Sequence, residues 1–397
     1  MNKIYFPSLN GLRFIAASLV MIYHVEFLKV RFGLKNYASV PFFNIIGPLG
    51  VILFFVLSGF LITYLLLSEQ NKTNTISIKD FYIRRILRIW PLYFFIVGIS
   101  FFVIPKISFF DVGTYLMDIH NNFGKMIILY FALLPNLGFA LFGNTLYISQ
   151  CWSVGVEEQF YLIWPVLMKK IKNKETLFYS IIGGYLFIKV IAFNLVAILF
   201  FPDRDPYKPW ILFHMTSIDC MAIGGLFALY LFRKDKILTF LFNRTLQFIT
   251  LIALCTLIGF GIEIPKVNFE VYAVLFGILI LNLAGNPKAI ISLENKVFNY
   301  LGKISYGLYM YQVITIIITL KVLNLLGMNN ILLQHISSFA VTIIVAGLSY
   351  RFYESYFINM KVKFSKIISG DNAFTAVANM FVKDKRPVPA TESDRKI

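Results

Sequence analysis

Charged residues are scarce in this sequence. Only 14% of its 397 residues are charged, and the 20 Asp and Glu are outnumbered by 37 Lys and Arg. Soluble domains carry about a quarter charged residues, so this shortage argues against a soluble protein. The 58% hydrophobic content and a mean hydropathy of +0.73 indicate a polytopic membrane protein. The net charge of +17 does not indicate nucleic-acid binding, because the basic residues cluster in short loops between apolar runs.

Cysteine is almost absent, which limits the chemistry that the chain can support. The three cysteines, Cys151, Cys220 and Cys255, fall within or at the edge of apolar segments. Their spacing forms neither a disulfide framework nor a metal-binding motif. We therefore expect neither structural disulfides nor a metal cofactor.

The apolar segments predict an all-α polytopic membrane protein with about ten transmembrane helices. We place these helices near 9–28, 46–68, 90–104, 151–168, 177–200, 211–232, 246–263, 270–284, 304–326 and 332–353. A further apolar run, Met126 to Phe142, is interrupted by Pro135, Asn136 and Gly138. We expect this run to be a re-entrant or interfacial part of a long outer loop.

The distribution of Lys and Arg predicts the orientation. Basic residues concentrate in four loops of the ten-helix arrangement, at 69–89, 169–176, 233–245 and 285–303. These loops and both termini are therefore expected in the cytoplasm. Residues 1–358 form the predicted transmembrane domain. Residues 359–397 form a basic cytoplasmic tail, which is expected to be partly disordered.

Two ionisable residues in the first apolar segment indicate function. Arg13 and His24 are eleven residues apart, so they lie on nearly the same face of a helix, separated by about 16 Å. Such residues are costly inside a bilayer unless they face a polar cavity. The alternative is a structural histidine bonded to a backbone carbonyl, with an arginine that reaches the membrane surface. The functional interpretation makes His24 a candidate general base.

Arginines form a second candidate site in the segment FYIRRILRIWP. Arg85 and Arg88 are three residues apart and share a helix face. Planar guanidinium groups bind phosphates through two parallel hydrogen bonds, so this pair is a candidate phosphate site. Ordinary orientation signalling would also explain a basic cluster here, and the residues alone do not decide between the two.

Adjacent glutamates inside the apolar segment SQCWSVGVEEQFYLIWP form the third candidate. Counting turns places Glu157 about 12 Å from the outer end of its helix, at a depth similar to that of His24. We expect Glu157 to orient His24, with Ser153 on the same face as Glu157. The alternative is a carboxylate that bonds a neighbouring helix for packing.

Asp219 lies in the segment HMTSIDCMAIGGLFA, at a similar depth below the outer end of its helix. It could line the same cavity and contact substrate, or it could bond His214 or a neighbouring helix. The pair Gly224–Gly225, like Gly59 in the second apolar segment, indicates close helix packing.

These motifs together resemble the acyltransferase 3 family of membrane-bound acyltransferases. The resemblance covers roughly residues 5–358 and depends on an ordered set of motifs, namely LNGLRFIAA, GVILFFVLSGFLIT, RRILRIWPLYF, WSVGVEEQFYLIWP, IDCMAIGGLFALY, LGKISYGLYMYQ and LSYRFYE. It implies ten transmembrane helices and acylation of sugars on bacterial surface polysaccharides and other extracytoplasmic acceptors. One departure is Gln312, which stands where many family members have a histidine.

The resemblance also implies roles for individual residues. Arg13 and His24 match its arginine and histidine of the first helix, Arg85 and Arg88 match its RxxR motif, and Trp152, Ser153 and Glu157 match its WS…E motif. The implied donor is a cytoplasmic acyl-CoA, most often acetyl-CoA. Arg13, Arg85 and Arg88 would bind that donor, Ser153 would contact substrate, and His24 and Glu157 would be catalytic. Asp219 is expected to contact substrate as well, because of its depth in the membrane and not because of the resemblance.

We therefore expect a multi-pass acyltransferase of the bacterial inner membrane. Its partners would be acyl-CoA, a carbohydrate acceptor and membrane lipids, without nucleic acid and in an unknown oligomeric state. The alternative is a transporter or flippase that uses the buried His, Glu and Arg as a proton relay. A non-catalytic membrane scaffold would leave the alignment of Arg13 and His24 unexplained. The sequence does not identify the acceptor glycan.

Overall fold

The structure is a computed structural model that describes residues 3–110, 115–143, 147–189 and 216–369. Within these ranges it is a bundle of α-helices, and the two-residue strands Lys3–Ile4 and Ile368–Ser369 pair in parallel. The predicted helices at 177–200 and 211–232 are described only up to residue 189 and from residue 216. His214 and the predicted tail beyond residue 369 lie outside the described residues.

The helices follow the chain in a regular order. They are α1 (Leu9–Arg31), α2 (Pro41–Thr73), α3 (Ile78–Phe102), α4 (Tyr115–Phe131), α5 (Pro135–Phe142), α6 (Cys151–Lys170), α7 (Lys174–Phe187), α8 (Ile218–Arg233), α9 (Ile237–Leu241), α10 (Arg244–Gly259), α11 (Asn268–Gly285), α12 (Lys296–Lys303), α13 (Ser305–Leu325), α14 (Ile331–Ser349) and α15 (Ser355–Met360). Single 3₁₀ turns cover Ile104–Lys106, Ser108–Phe110 and Lys361–Phe364, and a π-helical turn covers Tyr350–Glu354.

Several of these helices can cross a membrane. Judged by length and composition, six stretches of the described residues qualify, namely Leu9–Arg31, Pro41–Thr73, Ile78–Lys106, Asn268–Gly285, Ser305–Leu325 and Ile331–Phe364. The protein is therefore a multi-pass, all-helical membrane protein. A helix overlaps each of the ten predicted positions, but the count of about ten spanning helices is not confirmed.

The third helix begins well before the predicted position at residue 90. It starts at Ile78. Ser77 is the N-cap residue, and its hydroxyl accepts a hydrogen bond from the backbone N–H of Asp80 at 3.4 Å. Counting apolar residues misses these first turns because they are rich in arginine. The early start has a consequence for function, since it makes Arg85 and Arg88 part of a helix that enters the bundle.

The interrupted apolar run near residues 126–142 forms the end of α4 and all of α5. The break lies at Ala132 to Leu134, where Leu133 has a φ of 61°, which is unusual for a residue with a branched side chain. Pro135 begins α5, at a position where its missing N–H costs nothing. Asn136 and Gly138, which were expected to interrupt the helix, lie inside α5.

Helix α2 is the centre of the bundle and packs closely against α8. A Cβ atom added to Gly59 would lie 1.9 Å from the backbone oxygen of Met221. A Cβ atom added to Gly224 would lie 2.1 Å from the backbone oxygen of Val56. Both glycines therefore allow the two backbones to touch, as the sequence predicted for them.

The chain beyond α14 folds back along α3. The hydroxyl of Tyr353 donates to the backbone oxygen of Pro91 at 3.1 Å, and Nη1 of Arg84 donates to that of Phe364 at 2.8 Å. The strand pair then joins this segment to the start of the chain. These contacts continue beyond residue 358, to Ser369.

We predict that Gly59→Ala destabilises the bundle, because the added methyl group overlaps backbone atoms that cannot move away independently. A loss of about 1–3 kcal/mol is expected for overpacking of this kind. Thermal unfolding in detergent measures the effect. Gly98→Ala in α3 is the matched control, since nothing lies within 4 Å of the position of its Cβ. An equal melting temperature for both variants would contradict the close packing of α2 on α8.

Candidate active site

A cavity of about 220 Å³ lies between α1, α2, α3, α6 and α13. The segment after α14 and the residues before α1 complete its wall, through Ile358, Lys361, Ile4 and Tyr5. Its lining includes Arg13, Arg85, Arg88, Ser153 and Glu157. The structure therefore brings together five of the seven residues that the sequence proposed for the site.

The cavity is strongly cationic. Its lining contains five basic side chains, from Arg13, Arg85, Arg88, Lys303 and Lys361. Glu157 is the one carboxylate among the described residues that line it. Cations enclosed by protein repel each other and lose hydration, so such an arrangement is stable only if an anion occupies it or the surrounding structure holds it in place.

Arg85 and Arg88 face this cavity from α3. No carboxylate forms an ion pair with either residue among the described parts of the chain. The guanidinium of Arg85 stacks on the rings of Phe81 and Tyr161, each 5.5 Å from its centre. Stacking fixes the plane of the group while leaving its N–H donors available. The pair is therefore suited to bind phosphate oxygens.

Arg84, the third arginine of this cluster, has a different role. Its Nη2 forms a salt bridge of 3.1 Å with Glu69 at the end of α2, and its Nη1 bonds Phe364. Both side chains of the salt bridge are largely buried. Arg84 therefore anchors the C-terminal segment to α2 and α3. The sequence placed it with the other arginines but did not predict this role.

Glu157 is part of a hydrogen-bonded chain across the cavity wall. The hydroxyl of Tyr161 donates to Oε2 of Glu157 at 2.8 Å, and the hydroxyl of Ser58 is 2.6 Å from that of Tyr161. Because Tyr161 donates to the carboxylate, Ser58 donates to Tyr161. Arg85 and Arg88 are close enough to act on the Glu157 carboxylate electrostatically. The carboxylate is thus held beside the two arginines of α3.

Ser153 lies one turn before Glu157 and pairs with Tyr309. The two hydroxyl oxygens are 2.6 Å apart, and the hydroxyl of Tyr309 donates to the backbone oxygen of Gln150 at 3.0 Å. Oγ of Ser153 also lies within hydrogen-bond distance of that backbone oxygen, at 3.3 Å, so either hydroxyl can be the donor within the pair. This buried polar pair lines the cavity where α6 begins. It places two hydroxyl groups in the wall of the cavity.

His24 does not line the cavity. It lies close to Gln312, which bonds the cavity residue Tyr309. Its Nδ1 is 2.9 Å from the backbone oxygen of Val20. Because a carbonyl only accepts hydrogen bonds, Nδ1 carries the proton and Nε2 is left as an acceptor in the neutral ring. The amide of Gln312 lies beside the ring, but its Oε1 makes no hydrogen bond within ordinary limits. Gln312 in turn donates to the backbone oxygen of Tyr309 at 3.2 Å.

The structure does not join His24 to Glu157 by a hydrogen bond. Glu157 accepts from Tyr161, and His24 is fixed by Val20. The sequence placed both residues at a similar depth by counting turns, which says nothing about which way each helix face points. The sequence predicted that Glu157 orients His24. In the structure the two residues belong to separate hydrogen-bonded groups, and Tyr309 and Gln312 lie between these groups.

Asp219 is also absent from the lining of this cavity. It is fully buried near the start of α8, close to Glu270 of α11, and neither oxygen of its carboxyl group has a hydrogen-bond partner among the described residues. Glu270 accepts a hydrogen bond from Nζ of Lys189 at 2.7 Å. His214, the other partner that the sequence suggested for Asp219, lies outside the described residues.

Sequence reasoning did not include four of the residues that shape the cavity, Lys303, Lys361, Tyr161 and Tyr309. The lysines looked like ordinary loop cations in the sequence. Tyr161 follows Glu157 by four residues, and helical spacing could have predicted that pair. Tyr309 had no such signal, because Ser153 is 156 residues away in the chain.

Comparison with known proteins identifies the class to which this fold and site belong. A family model described as an acyltransferase domain matches residues 6–351. The chain therefore belongs to the acyltransferase 3 family, and the resemblance drawn from its motifs is confirmed. No solved structure matches the chain.

Curated relatives are similar over most of this chain. The peptidoglycan O-acetyltransferase OatA of Listeria monocytogenes is 28% identical over 381 residues, which cover 89% of this chain and 56% of that protein. A Bacillus subtilis protein provisionally named as a peptidoglycan O-acetyltransferase is 26% identical, with 88% and 54% covered. A Staphylococcus aureus protein provisionally named as an O-acetyltransferase is also 26% identical, with 90% and 58% covered. The chain spans about half the length of these relatives.

We predict that Asp219→Asn leaves acyl transfer within about threefold of the parent activity, because Asp219 lies outside the cavity and an amide has nearly the same shape as a carboxyl group. Lys189→Met should instead lower the melting temperature in detergent, since it leaves the buried carboxyl group of Glu270 without its cation. Thermal unfolding and a transfer assay on the same preparations check both statements. Loss of transfer in a stable Asp219→Asn variant would return Asp219 to the substrate site.

Proposed function

We propose that this protein is an O-acyltransferase that moves an acyl group, most often acetyl, from cytoplasmic acyl-CoA to a hydroxyl group of an extracytoplasmic glycan. It would act in the bacterial inner membrane with both termini in the cytoplasm. Membership of the acyltransferase 3 family and the names of the relatives support O-acetylation of a cell-surface glycan. The cationic cavity is the observation that carries the proposal.

The donor assignment depends on the charges in that cavity. Coenzyme A carries a diphosphate and a 3′-phosphate, so it is a compact polyanion attached to a long neutral arm. Five cations and one carboxylate line the cavity, so positive side chains outnumber negative ones along its wall. Arginines bind phosphate oxygens through parallel hydrogen bonds, and Arg85 and Arg88 have the donors available. A polyanion of this kind would remove the repulsion between these side chains.

The remainder of the cavity suits the neutral arm and the thioester. Apolar residues from α2, such as Phe54, Phe55 and Leu57, line it together with the hydroxyl groups of Ser153 and Tyr309. The neutral arm would lie along the apolar wall, and the thioester carbonyl would lie near these two hydroxyl groups. We assign Glu157, which accepts a hydrogen bond from Tyr161, to proton transfer beside the bound donor.

The acceptor would approach from the side of His24. Its hydroxyl group gives its proton to Nε2 of His24 while its oxygen forms a bond to the thioester carbon. The carbon–sulfur bond then breaks, and the proton passes to the departing thiolate. Nδ1 keeps its proton throughout, because it donates to Val20. No metal takes part in this scheme, in which thioester and alcohol become ester and thiol.

We predict that donor binding and transfer can be separated by mutation. Arg85→Lys with Arg88→Lys should weaken acetyl-CoA binding at least tenfold, because a lysine cannot form the parallel hydrogen bonds of a guanidinium. His24→Ala should leave the Kd within about threefold and lower transfer by about 100-fold or more. Glu157→Gln should also slow transfer, with binding unchanged or tighter, because a negative charge beside the donor is lost.

Isothermal titration with acetyl-CoA and a thioester-consumption assay on purified protein measure these effects. Arg233→Lys is the control for the arginine variant, since Arg233 forms an exposed salt bridge with Glu175 away from the cavity. Normal transfer by a folded His24→Ala variant would reject the catalytic assignment of His24. Normal binding of acetyl-CoA by the double lysine variant would mean that Arg85 and Arg88 serve only to orient the protein in the membrane.

The proposed direction of transfer makes a separate prediction about sidedness. The basic loops predict that Lys170 and Lys234 face the cytoplasm, while Lys35 and Glu263 lie in loops on the opposite side. All four positions are exposed. Single cysteines at the first two should react only with reagents that cross the membrane, and those at the other two should react with impermeant reagents.

Labelling requires a background in which the exposed native Cys255 is replaced by Ser. It is performed on cells from which any outer barrier has been removed, with lysed cells as the control for reactivity. The inverse labelling pattern would place the cationic cavity on the wrong side for a cytoplasmic donor. That result would reject the proposed direction while leaving membership of the family untouched.

A further inference from the structure

We propose that Lys361, carried by the segment after the last long helix, recognises the 3′-phosphate of the donor. The inference rests on the proposed function, since it names the residue that reads one part of acyl-CoA. Lys361 lies in the single turn Lys361–Phe364 and lines the cavity. No ion pair joins it to a carboxylate among the described residues.

Lys361 is held among like charges. It lines the same cavity as Arg13, Arg85 and Arg88, and like charges held in one cavity repel each other. A lysine on a mobile chain would move its ammonium group into water to avoid this repulsion. Lys361 cannot move freely, because the turn that carries it is fixed at Phe364 by the hydrogen bond from Arg84.

Two hydrogen bonds show how deep Lys361 lies along α3. Tyr353 bonds the backbone oxygen of Pro91, and Phe364 accepts from Arg84, so the segment runs antiparallel to α3. Lys361 is close to the second of these contacts in the chain. It therefore lies beside the helical turn that begins at Arg84, which is one to two turns before Pro91.

The position of Lys303 is given by the contact between its neighbour and α1. Gly302 packs directly on the backbone of Asn10, where an added Cβ would lie 2.1 Å from the oxygen of Asn10. Lys303 is therefore level with the start of α1. Arg13 lies three residues further along α1, which is about 4.5 Å deeper.

Arg88 is also at the deeper level. The hydroxyl of Tyr306 donates to the backbone oxygen of Ile89 at 3.0 Å, and Tyr306 lies about one turn beyond Lys303. The cations thus form two tiers about one helical turn apart. We define the inner tier, which lies deeper in the bundle, as Arg13 and Arg88. The outer tier, which lies less deep, contains Arg85, Lys303 and Lys361.

The two tiers match the order of charged groups in acyl-CoA. The thioester is joined to the diphosphate by the pantetheine arm, and the 3′-phosphate lies on the ribose, on the far side of the diphosphate. If the thioester lies near Ser153 and Tyr309, the diphosphate meets the inner tier and the 3′-phosphate meets the outer tier. Of the outer cations, Arg85 is stacked on two aromatic rings of α3 and α6. Lys361 lies beside α3 on the C-terminal segment, and no ring contact holds it among the described residues.

The test compares acetyl-CoA with acetyl-dephospho-CoA, which lacks only the 3′-phosphate. Binding of both is measured by isothermal titration on the full chain in detergent. We expect the parent protein to bind acetyl-CoA about tenfold more tightly, as a charge-assisted contact allows. Lys361→Ala should abolish this preference by weakening acetyl-CoA alone, and Lys361→Arg should keep it.

Lys363→Ala is the matched control, because Lys363 is exposed and lies two residues further in the same turn. It should keep the full preference for acetyl-CoA. Melting temperatures of all variants are compared first, and Lys361→Arg shows that a cation at this position supports folding if Lys361→Ala does not.

Each other outcome contradicts a distinct statement. A parent protein that binds neither compound would reject the proposed donor itself. A parent protein that binds both equally, or a Lys361→Ala variant that still prefers acetyl-CoA, would reject the role of Lys361 and leave the donor assignment intact. An equal loss of affinity for both compounds in Lys361→Ala would assign Lys361 to the diphosphate and would also overturn the proposal.

Discussion

Repulsion among cations in a protein-enclosed cavity is the constraint on which the rest of this structure depends. Five basic side chains converge there from α1, from α3, from the end of α12 and from the C-terminal segment. Nothing in elementary energetics favours such a cluster by itself, because each charge loses hydration and meets like charges. A chain that folds this way must hold the cluster by other contacts and gain from it when an anion binds.

The holding contacts are visible around the cavity. Arg84, which looks in the sequence like a third phosphate ligand, instead ties α2 to α3 and to the C-terminal segment through Glu69 and Phe364. Gly59 allows α8 to touch α2, so that α2 forms a rigid wall. Tyr161 supports the guanidinium of Arg85 and at the same time bonds Glu157. The cationic surface is thus pre-organised before any ligand arrives, which reduces the cost of binding.

Most of the fold and part of the site could be predicted from the sequence, for identifiable physical reasons. Apolar runs report where helices lie, and helices overlap all ten predicted positions. Residues on one helix face, such as Arg85 and Arg88 or Ser153 and Glu157, reach the same cavity because helical spacing fixes their relation.

Relations between helices could not be predicted in this way. Depth along a helix does not determine which way a helix face points. His24 and Glu157 therefore belong to two separate hydrogen-bonded groups and do not form one dyad. For the same reason the sequence could not show that Asp219 lies outside the cavity, near Glu270 of α11. Lys361 had no signal at all, because its position depends on a backbone contact with Arg84 that no local pattern encodes.

The central claim is that the cationic cavity is the binding site for the phosphates of the acyl donor. A cryo-electron microscopy map of the full chain with a thioether analogue of acetyl-CoA, which cannot transfer its acyl group, tests this most directly. The account predicts density for the analogue inside the cavity, with phosphates against Arg85, Arg88 and Lys361 and the acyl end near Ser153 and Tyr309. An analogue bound elsewhere, with the cavity filled by lipid or by side chains, would contradict it.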